Sequence, residues 1–204
     1  MNIFKKGFTL VEILITLAVL GTAVGVGTAS YVSFNERQVV EQVALELKNN
    51  FKLIQQRALS GEKDITLCKE GTSTVPLAGW CFSPDESTPG PIDEYLLYGS
   101  CGPDTTGGVT PFPANPQRVG LPEGVTIKHY INNSPNIGGR ILFEAGKSSI
   151  KISGIDPATG LEQDYPDIIY CLESNLPATP NSQYKITVTE FGEIIDEGFV
   201  SCPT

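Results

Sequence analysis

Histidine is all but missing from this 204-residue chain: His129 is the only one. The five cysteines never stand in C-x-x-C spacing, so a zinc site lacks its parts. Gly-x-Ser-x-Gly is absent, and so is a phosphate-binding glycine loop. Basic residues are scarce as well, with 14 Lys and Arg against 23 Asp and Glu. The shortage deepens along the chain, because Gly61 onward holds 19 acids and 8 bases, a net of −11. Binding to a phosphate backbone rests on Lys and Arg displacing counterions, so nucleic acid is not an expected partner. His129 alternates with Val125, Ile127 and Ile131, which predicts a hydrogen-bonded core residue rather than a catalyst. Asp156, Asp164 and Asp167 flank a Gly- and Pro-containing loop but lack EF-hand spacing, so they read as solvated acids. No catalytic set, metal or cofactor is expected.

Charge is also missing from one long stretch. Ile13 to Val32 carries none, and from Phe8 to Val32 there are about 25 mostly apolar residues. That length crosses a hydrocarbon core of ~30 Å as a helix. Lys5 and Lys6 precede it and favour the cytoplasmic side, which puts the rest of the chain outside the cytoplasm. Glu12 is the lone acid near its start; in lipid a carboxylate needs a partner or a proton. Gly21 and Gly25 form a small-xxx-small pair that lets helices approach closely, although glycine is also common in membrane helices generally.

The helix is expected to continue to residue 60. Val40, Val43, Leu47, Phe51, Ile54 and Ala58 follow steps of three and four, one face of a helix, and Gly61 fits a C-terminal stop. From Phe8 to Leu59 such a helix is roughly 78 Å long. Short strands follow: Asp64–Cys68, Gly79–Phe82, Tyr95–Tyr98, Val125–Ile131, Arg140–Phe143, Ser149–Ser153, Ile168–Cys171, Tyr184–Thr189, Glu193–Ile195 and Phe199–Cys202. Gly, Pro, Asn and Asp punctuate them, as in a mainly antiparallel sheet. Ser83–Gly124 holds eight of the 15 prolines and reads as a long loop around the Tyr95–Tyr98 strand. The expected fold is α+β: a long N-terminal helix, its first half in the membrane, packed as a spine against a β-sheet-rich head. The expected parts are a leader over 1–7, the helix over 8–60 with its span over about 8–32, and the head over 61–204.

Cys68, Cys81, Cys101, Cys171 and Cys202 all lie beyond the apolar run, where an oxidising compartment permits disulfides. Five is odd, so one is left over. The pairs expected are Cys68–Cys81 and Cys171–Cys202, each joining neighbouring predicted strands, with Cys101 unpaired. Pairing of Cys81 with Cys101 is the alternative.

Gly7-Phe8-Thr9-Leu10-Val11-Glu12, after two lysines and before an apolar helix, resembles the signal of type IV prepilins and type II secretion pseudopilins. The resemblance implies that a prepilin peptidase cuts between Gly7 and Phe8 and that the new amino group of Phe8 is methylated. It implies inner-membrane lipid and other pilin or pseudopilin subunits as partners of the helix. It gives Glu12 a role in assembly: pairing with the Phe8 amine of a neighbouring subunit. A neutral Glu12 facing headgroups is the plainer alternative. The order of parts narrows the resemblance. A long helix is followed by Ile65–Cys68, Gly79–Phe82, Leu121–Thr126, Ile141–Phe143 with Gly146, and a late strand reaching Phe191-Gly192. This is similar to the GspH/FimT-type minor pilins and pseudopilins. A filament subunit is therefore the expected function, and a pilus-tip adhesin or DNA-uptake minor pilin the alternative. DNA-binding members of that group carry arginine just after the position of Gly192; here Glu193 stands there.

Overall fold

The computed structural model describes residues 9–62, 69–70, 73–74, 77–85, 91–101, 116–132, 134–135, 137–155, 162–174 and 183–203. Gly7, Phe8, Asp156 and the expected strand Asp64–Cys68 lie outside them. One helix, α1, runs from Leu10 to Ser60. Thr9 caps its start: its Oγ1 accepts the Glu12 N–H at 3.3 Å and its carbonyl accepts the Ile13 N–H at 3.2 Å. Glu12, in the first turn, lies where the helix dipole favours an anion. At the other end the Gly61 N–H donates to the Ala58 carbonyl and the Glu62 N–H to the Arg57 carbonyl. This pair of bonds is a Schellman stop, and it needs the left-handed backbone (φ 65°) that Gly61 adopts at little cost.

The chain divides into two compact units, Met1–Gln38 and Val39–Thr204, so the boundary falls within α1. In the first unit the apolar side chains face outward, from Leu10 (76 % exposed) to Phe34 (60 %). Among the described residues no helix is long and apolar enough to cross a membrane. In the stretch 8–32, Phe8 and the side chains of Val26, Ala29 and Ser30 lie outside the described set.

The second unit is the β-rich head. Its strands are β1 (Lys69–Glu70), β2 (Ser73–Thr74), β3 (Leu77–Pro84), β4 (Glu94–Cys101), β5 (Gln117–Gly120), β6 (Val125–Ile131), β7 (Ser134–Pro135), β8 (Ile137–Glu144), β9 (Ile150–Ile155), β10 (Glu162–Tyr165), β11 (Asp167–Ser174), β12 (Tyr184–Thr189) and β13 (Ile194–Phe199). They form two antiparallel sheets, of order β10-β9-β8-β3-β4-β5 and β13-β12-β11-β6-β7, and the small hairpin β1-β2. Both sheets pack against α1. Val40, Val43, Leu47, Phe51, Ile54 and Ala58 are buried, each 4 % exposed or less. The Phe51 ring lies 4.7 Å from Phe82 in β3 and 5.5 Å from Tyr170 in β11, so one helix side chain touches both sheets. Asn50 donates to the Tyr95 hydroxyl at 2.7 Å, and Gln55 to the Gly192 carbonyl at 3.1 Å.

Several sequence readings change. In place of the expected strands Glu193–Ile195 and Phe199–Cys202 a single strand runs over Ile194–Phe199. The Tyr95–Tyr98 strand extends over Glu94–Cys101. Gln117–Gly120, inside the proline-rich stretch, is a strand, and Glu162–Tyr165 is another. Both of the latter are low in β-forming residues and sit at the rims of the six-stranded sheet; pairing with β4 and β9 supplies what their own propensity does not. The outward face of β6 is also covered: Thr126 and Tyr130 are buried, while Lys128 is exposed.

The rims of both sheets are short or interrupted. β10 and β5 have four residues each and β7 two, with Pro135 in it. β13 has six, but it carries Asp196, Glu197 and a left-handed Gly198 (φ 74°) beside a register shift.

Candidate functional site

The segment that carries the motif begins at the Thr9 cap. Glu12 is exposed one turn in, among exposed Leu10, Val11, Ile13 and Leu14. The hydroxyls along this helix turn back on it: Thr16 donates to the Ile13 carbonyl at 2.9 Å, Thr22 to Val19 at 2.9 Å and Thr28 to Val24 at 2.8 Å. These three leave no unmet hydroxyl donor of their own to oppose an apolar environment. Methyl groups built on Gly21 and Gly25 meet nothing within 4 Å, so this surface is open to a close neighbour. Gly7 and Phe8, the expected cleavage residues, lie outside the described residues.

The cysteines pair differently from the expectation. Cys171 and Cys202 are bridged, with S–S 1.99 Å and Cα–Cα 6.3 Å. Cys101 is also in a disulfide and is not the leftover residue. Cys81 keeps its thiol, so neither Cys68–Cys81 nor Cys81–Cys101 is formed. The reason is its place in β3. Its cross-strand partners are Tyr98 in β4 and Leu142 in β8, and no cysteine stands beside it. Cys81, Leu96, Tyr98 and Leu142 form a small buried cluster on the face away from Phe82. Tyr98 is hydrogen-bonded to both Cys81 and Arg140; burial drives its phenol well above the usual range. Cys68 lies outside the described residues. Alternation along Gly79–Phe82 was the available signal: Trp80 and Phe82 belong to the core, so Cys81 faces the other way.

His129 is 3 % exposed and its Nε2 accepts the Gly139 N–H at 3.2 Å. That bond leaves the proton on Nδ1 in the neutral ring. Gly139 is required for the approach, since a methyl there would lie 2.5 Å from His129 Cδ2. Burial pushes the imidazole down to about 4. The ring is therefore neutral in the native state while the unfolded chain takes up a proton near pH 6.5. Its contribution is full above about pH 6.5 and is lost as pH falls through about 4, amounting to roughly 3 kcal/mol. Urea unfolding between pH 7 and 4 should show this slope, and His129→Gln should flatten it. An unchanged slope in the variant would assign the acid sensitivity to other groups.

Charged residues of the head mostly pair with one another. Arg118 of β5 bonds the buried Asp85 and, at 2.5 Å, Glu94; its guanidinium is held more basic by the Asp85 hydrogen bond. Lys48 of α1 meets Asp196 at 2.8 Å, and Tyr184 donates to the other oxygen of that carboxylate at 2.7 Å. Burial alone would raise Asp196, but these two bonds outweigh it and hold it below the usual carboxylate range. Lys128 pairs with Glu173, and Lys185 with Glu197 at 3.0 Å. None of these groups had a signal in sequence spacing, because strand pairing, and for Lys48 the packing of α1 on the five-stranded sheet, brings them together. Asp164 and Asp167 lie on β10 and β11 rather than in a shared loop, and no group of three metal-ligating side chains occurs among the described residues. Glu193 is exposed beside Gly192, whose left-handed backbone (φ 79°) forms the β12–β13 turn.

Residues 4–28 match the prokaryotic N-terminal methylation motif. The chain thus carries a type IV prepilin-like N-terminus, the mark of a pilin-like or pseudopilin precursor. The motif implies processing by a prepilin peptidase, anchoring in a membrane and assembly with other pilins, a structural rather than enzymatic class. No curated protein and no solved structure matches this chain.

Proposed function

We propose that this chain is a minor pilin or pseudopilin, a structural subunit of a type IV pilus or a type II secretion filament. Before assembly it is a single-pass protein of the inner membrane, held over about residues 8–32 with its head outside the cytoplasm. Prepilin peptidase cuts between Gly7 and Phe8, and the Phe8 amine is methylated. The observation that carries this reading is the methylation motif over 4–28, placed on a capped helix with Glu12 in its first turn. The order of a long helix and a two-sheet head supports the GspH/FimT type within that class. Glu193 after Gly192, and the net charge of −11 from Gly61 onward, speak against a DNA-uptake role.

Glu12 drives assembly in this reading. Moving a helix from lipid into a bundle of like helices gains little from apolar contact, because lipid tails are equally apolar. A carboxylate meeting the neighbour's Phe8 amine relieves an isolated charge in low dielectric and discriminates between the two environments. Mass spectrometry of the membrane-extracted protein should find a mature chain that starts at methylated Phe8. Glu12→Ala should leave cleavage and membrane level intact while sharply reducing the amount recovered with sheared filaments. A different mature N-terminus defeats the prepilin reading, and normal filament recovery of the variant defeats the pairing mechanism.

A further inference from the structure

The turn between β12 and β13 is tied to three other parts of the head and carries an aromatic ring at its tip. The Gly192 N–H donates to the Thr189 carbonyl at 2.9 Å, and the Thr189 N–H to the Glu193 carbonyl at 3.1 Å. This is the pattern of a three-residue hairpin loop, Glu190-Phe191-Gly192, closed by a left-handed residue. The Glu190 N–H donates to the Pro166 carbonyl at 2.7 Å, in the link between β10 and β11. The Ile150 N–H of β9 donates to the Glu190 carbonyl at 3.2 Å, and Gln55 of α1 to the Gly192 carbonyl at 3.1 Å. A methyl on Gly192 would stand 2.9 Å from the Ser148 carbonyl oxygen, so the fit leaves no room for a side chain there. Phe191 is nonetheless 79 % exposed, the most exposed large apolar side chain of the head among the described residues. Single apolar side chains in water are ordinary on protein surfaces. This ring differs in that turn chemistry does not call for it and its backbone is fixed from three directions.

From this we infer that Phe191 is an anchor that enters an apolar pocket of a different protein, one whose pocket rim carries Lys or Arg. The charge around the ring selects that occupant. Glu190 and Glu193 flank the tip, both are exposed, and neither forms an ion pair among the described residues. Lys147, on the turn between β8 and β9 beside Ser148, is already paired with Glu144 at 3.1 Å. A second copy of this chain brings a head of the same sign, net −11 from Gly61 onward, and like-charged surfaces repel. Nucleic acid and anionic lipid headgroups are repelled for the same reason. A basic rim meets the two glutamates instead and leaves the ring to fill the pocket between them. Because the turn is held in place beforehand, little freedom is lost on binding, which is how a single aromatic side chain comes to dominate an interface.

The test uses the full chain in the cells that naturally make it. The photo-reactive amino acid p-benzoylphenylalanine replaces Ser148, which is exposed beside the turn, so that Phe191 itself stays free to vary. Illumination should give one adduct with another protein, and the cross-linked peptide should carry Lys or Arg. Phe191→Ala should lower its yield about tenfold, the scale of a lost anchor, while Phe191→Leu keeps most of it. Glu190→Lys with Glu193→Lys should lower it about as far as Phe191→Ala, since like charges then face each other. These side chains are exposed, so unchanged thermal melting separates lost docking from lost folding. No adduct, an adduct only with lipid or with a second copy of this chain, a partner peptide without basic residues, or a yield indifferent to Phe191→Ala each overturns the inference. Nothing here draws on the N-terminal motif. A mature chain starting elsewhere than Phe8 therefore leaves this surface standing, and a missing adduct leaves the prepilin reading standing.

Discussion

Phe51→Ala should lower the stability of the head by about 3–5 kcal/mol, the cost of truncating a fully buried phenylalanine. Phe51 has no exposed surface, and its ring meets Phe82 of one sheet and Tyr170 of the other. Phe82 and Tyr170 also lie 5.2 Å apart, edge to face, so the three rings form one cluster where helix and sheets join. The cavity left by alanine cannot close easily. Phe82 lies in a central strand paired on both sides, and so does Tyr170. Small domains hold about 5–15 kcal/mol in total, so the variant would keep only a thin margin. Denaturant unfolding of the detergent-solubilised chain would measure the loss. Leu53→Ala, on the open side of the same helix, should cost only a few tenths of a kcal/mol. A Phe51→Ala loss near that of Leu53→Ala would mean that the helix is not the joint between the sheets.

Removing the Cys171–Cys202 bridge by Cys171→Ser and Cys202→Ser should cost about 3–4 kcal/mol. The two residues are 31 apart in sequence, and on the chain-entropy account a loop of that size gives this range. Cys171 is fully buried on β11, which β6 and β12 flank, and Cys202 follows β13. The bridge therefore ties the chain's end to the middle of the five-stranded sheet. The Cys202 N–H also donates to Gln183 Oε1 at 3.0 Å, a bond that depends on the tail being held there. Non-reducing peptide mapping should recover Cys171 with Cys202 and find Cys101 bridged. It should find Cys81 open to alkylation only after unfolding, since that thiol is 2 % exposed. A serine variant as stable as the parent would show that β13 and the tail hold without the bridge. Cys81 alkylated at once in the native protein would show that β3 is not sealed by Tyr98 and Leu142.

Local pattern made some of this molecule legible and pairing hid the rest. The helix declares itself through Val40, Val43, Leu47, Phe51, Ile54 and Ala58, because burial of one helix face imposes a period that needs no knowledge of its partner. Gly61 marks the helix end for an equally local reason, its left-handed backbone. β6 is readable from the alternation of Val125, Ile127, His129 and Ile131. The rim strands β5 and β10 are not, because a rim strand borrows its order from the strand beside it. Cys81 misleads for the same reason: proximity in sequence to Cys68 says nothing of the Tyr98 and Leu142 neighbours that the sheet supplies. The ion pairs of Arg118, Lys128 and Lys185 arise from strand register and have no trace in spacing. At the candidate site, the methylation motif over residues 4–28 was legible, since its parts are contiguous in the chain.

The blunted rims of the two sheets set how this protein can stick to itself. A long bare strand edge recruits further strands without regard to partner, and such growth ends in aggregates. Here three rims are too short to template a strand, and the fourth is broken by two carboxylates and a left-handed glycine. Crowded heads can therefore brush past one another without zipping. Any polymer the chain joins has to be held together by something other than extension of these two sheets.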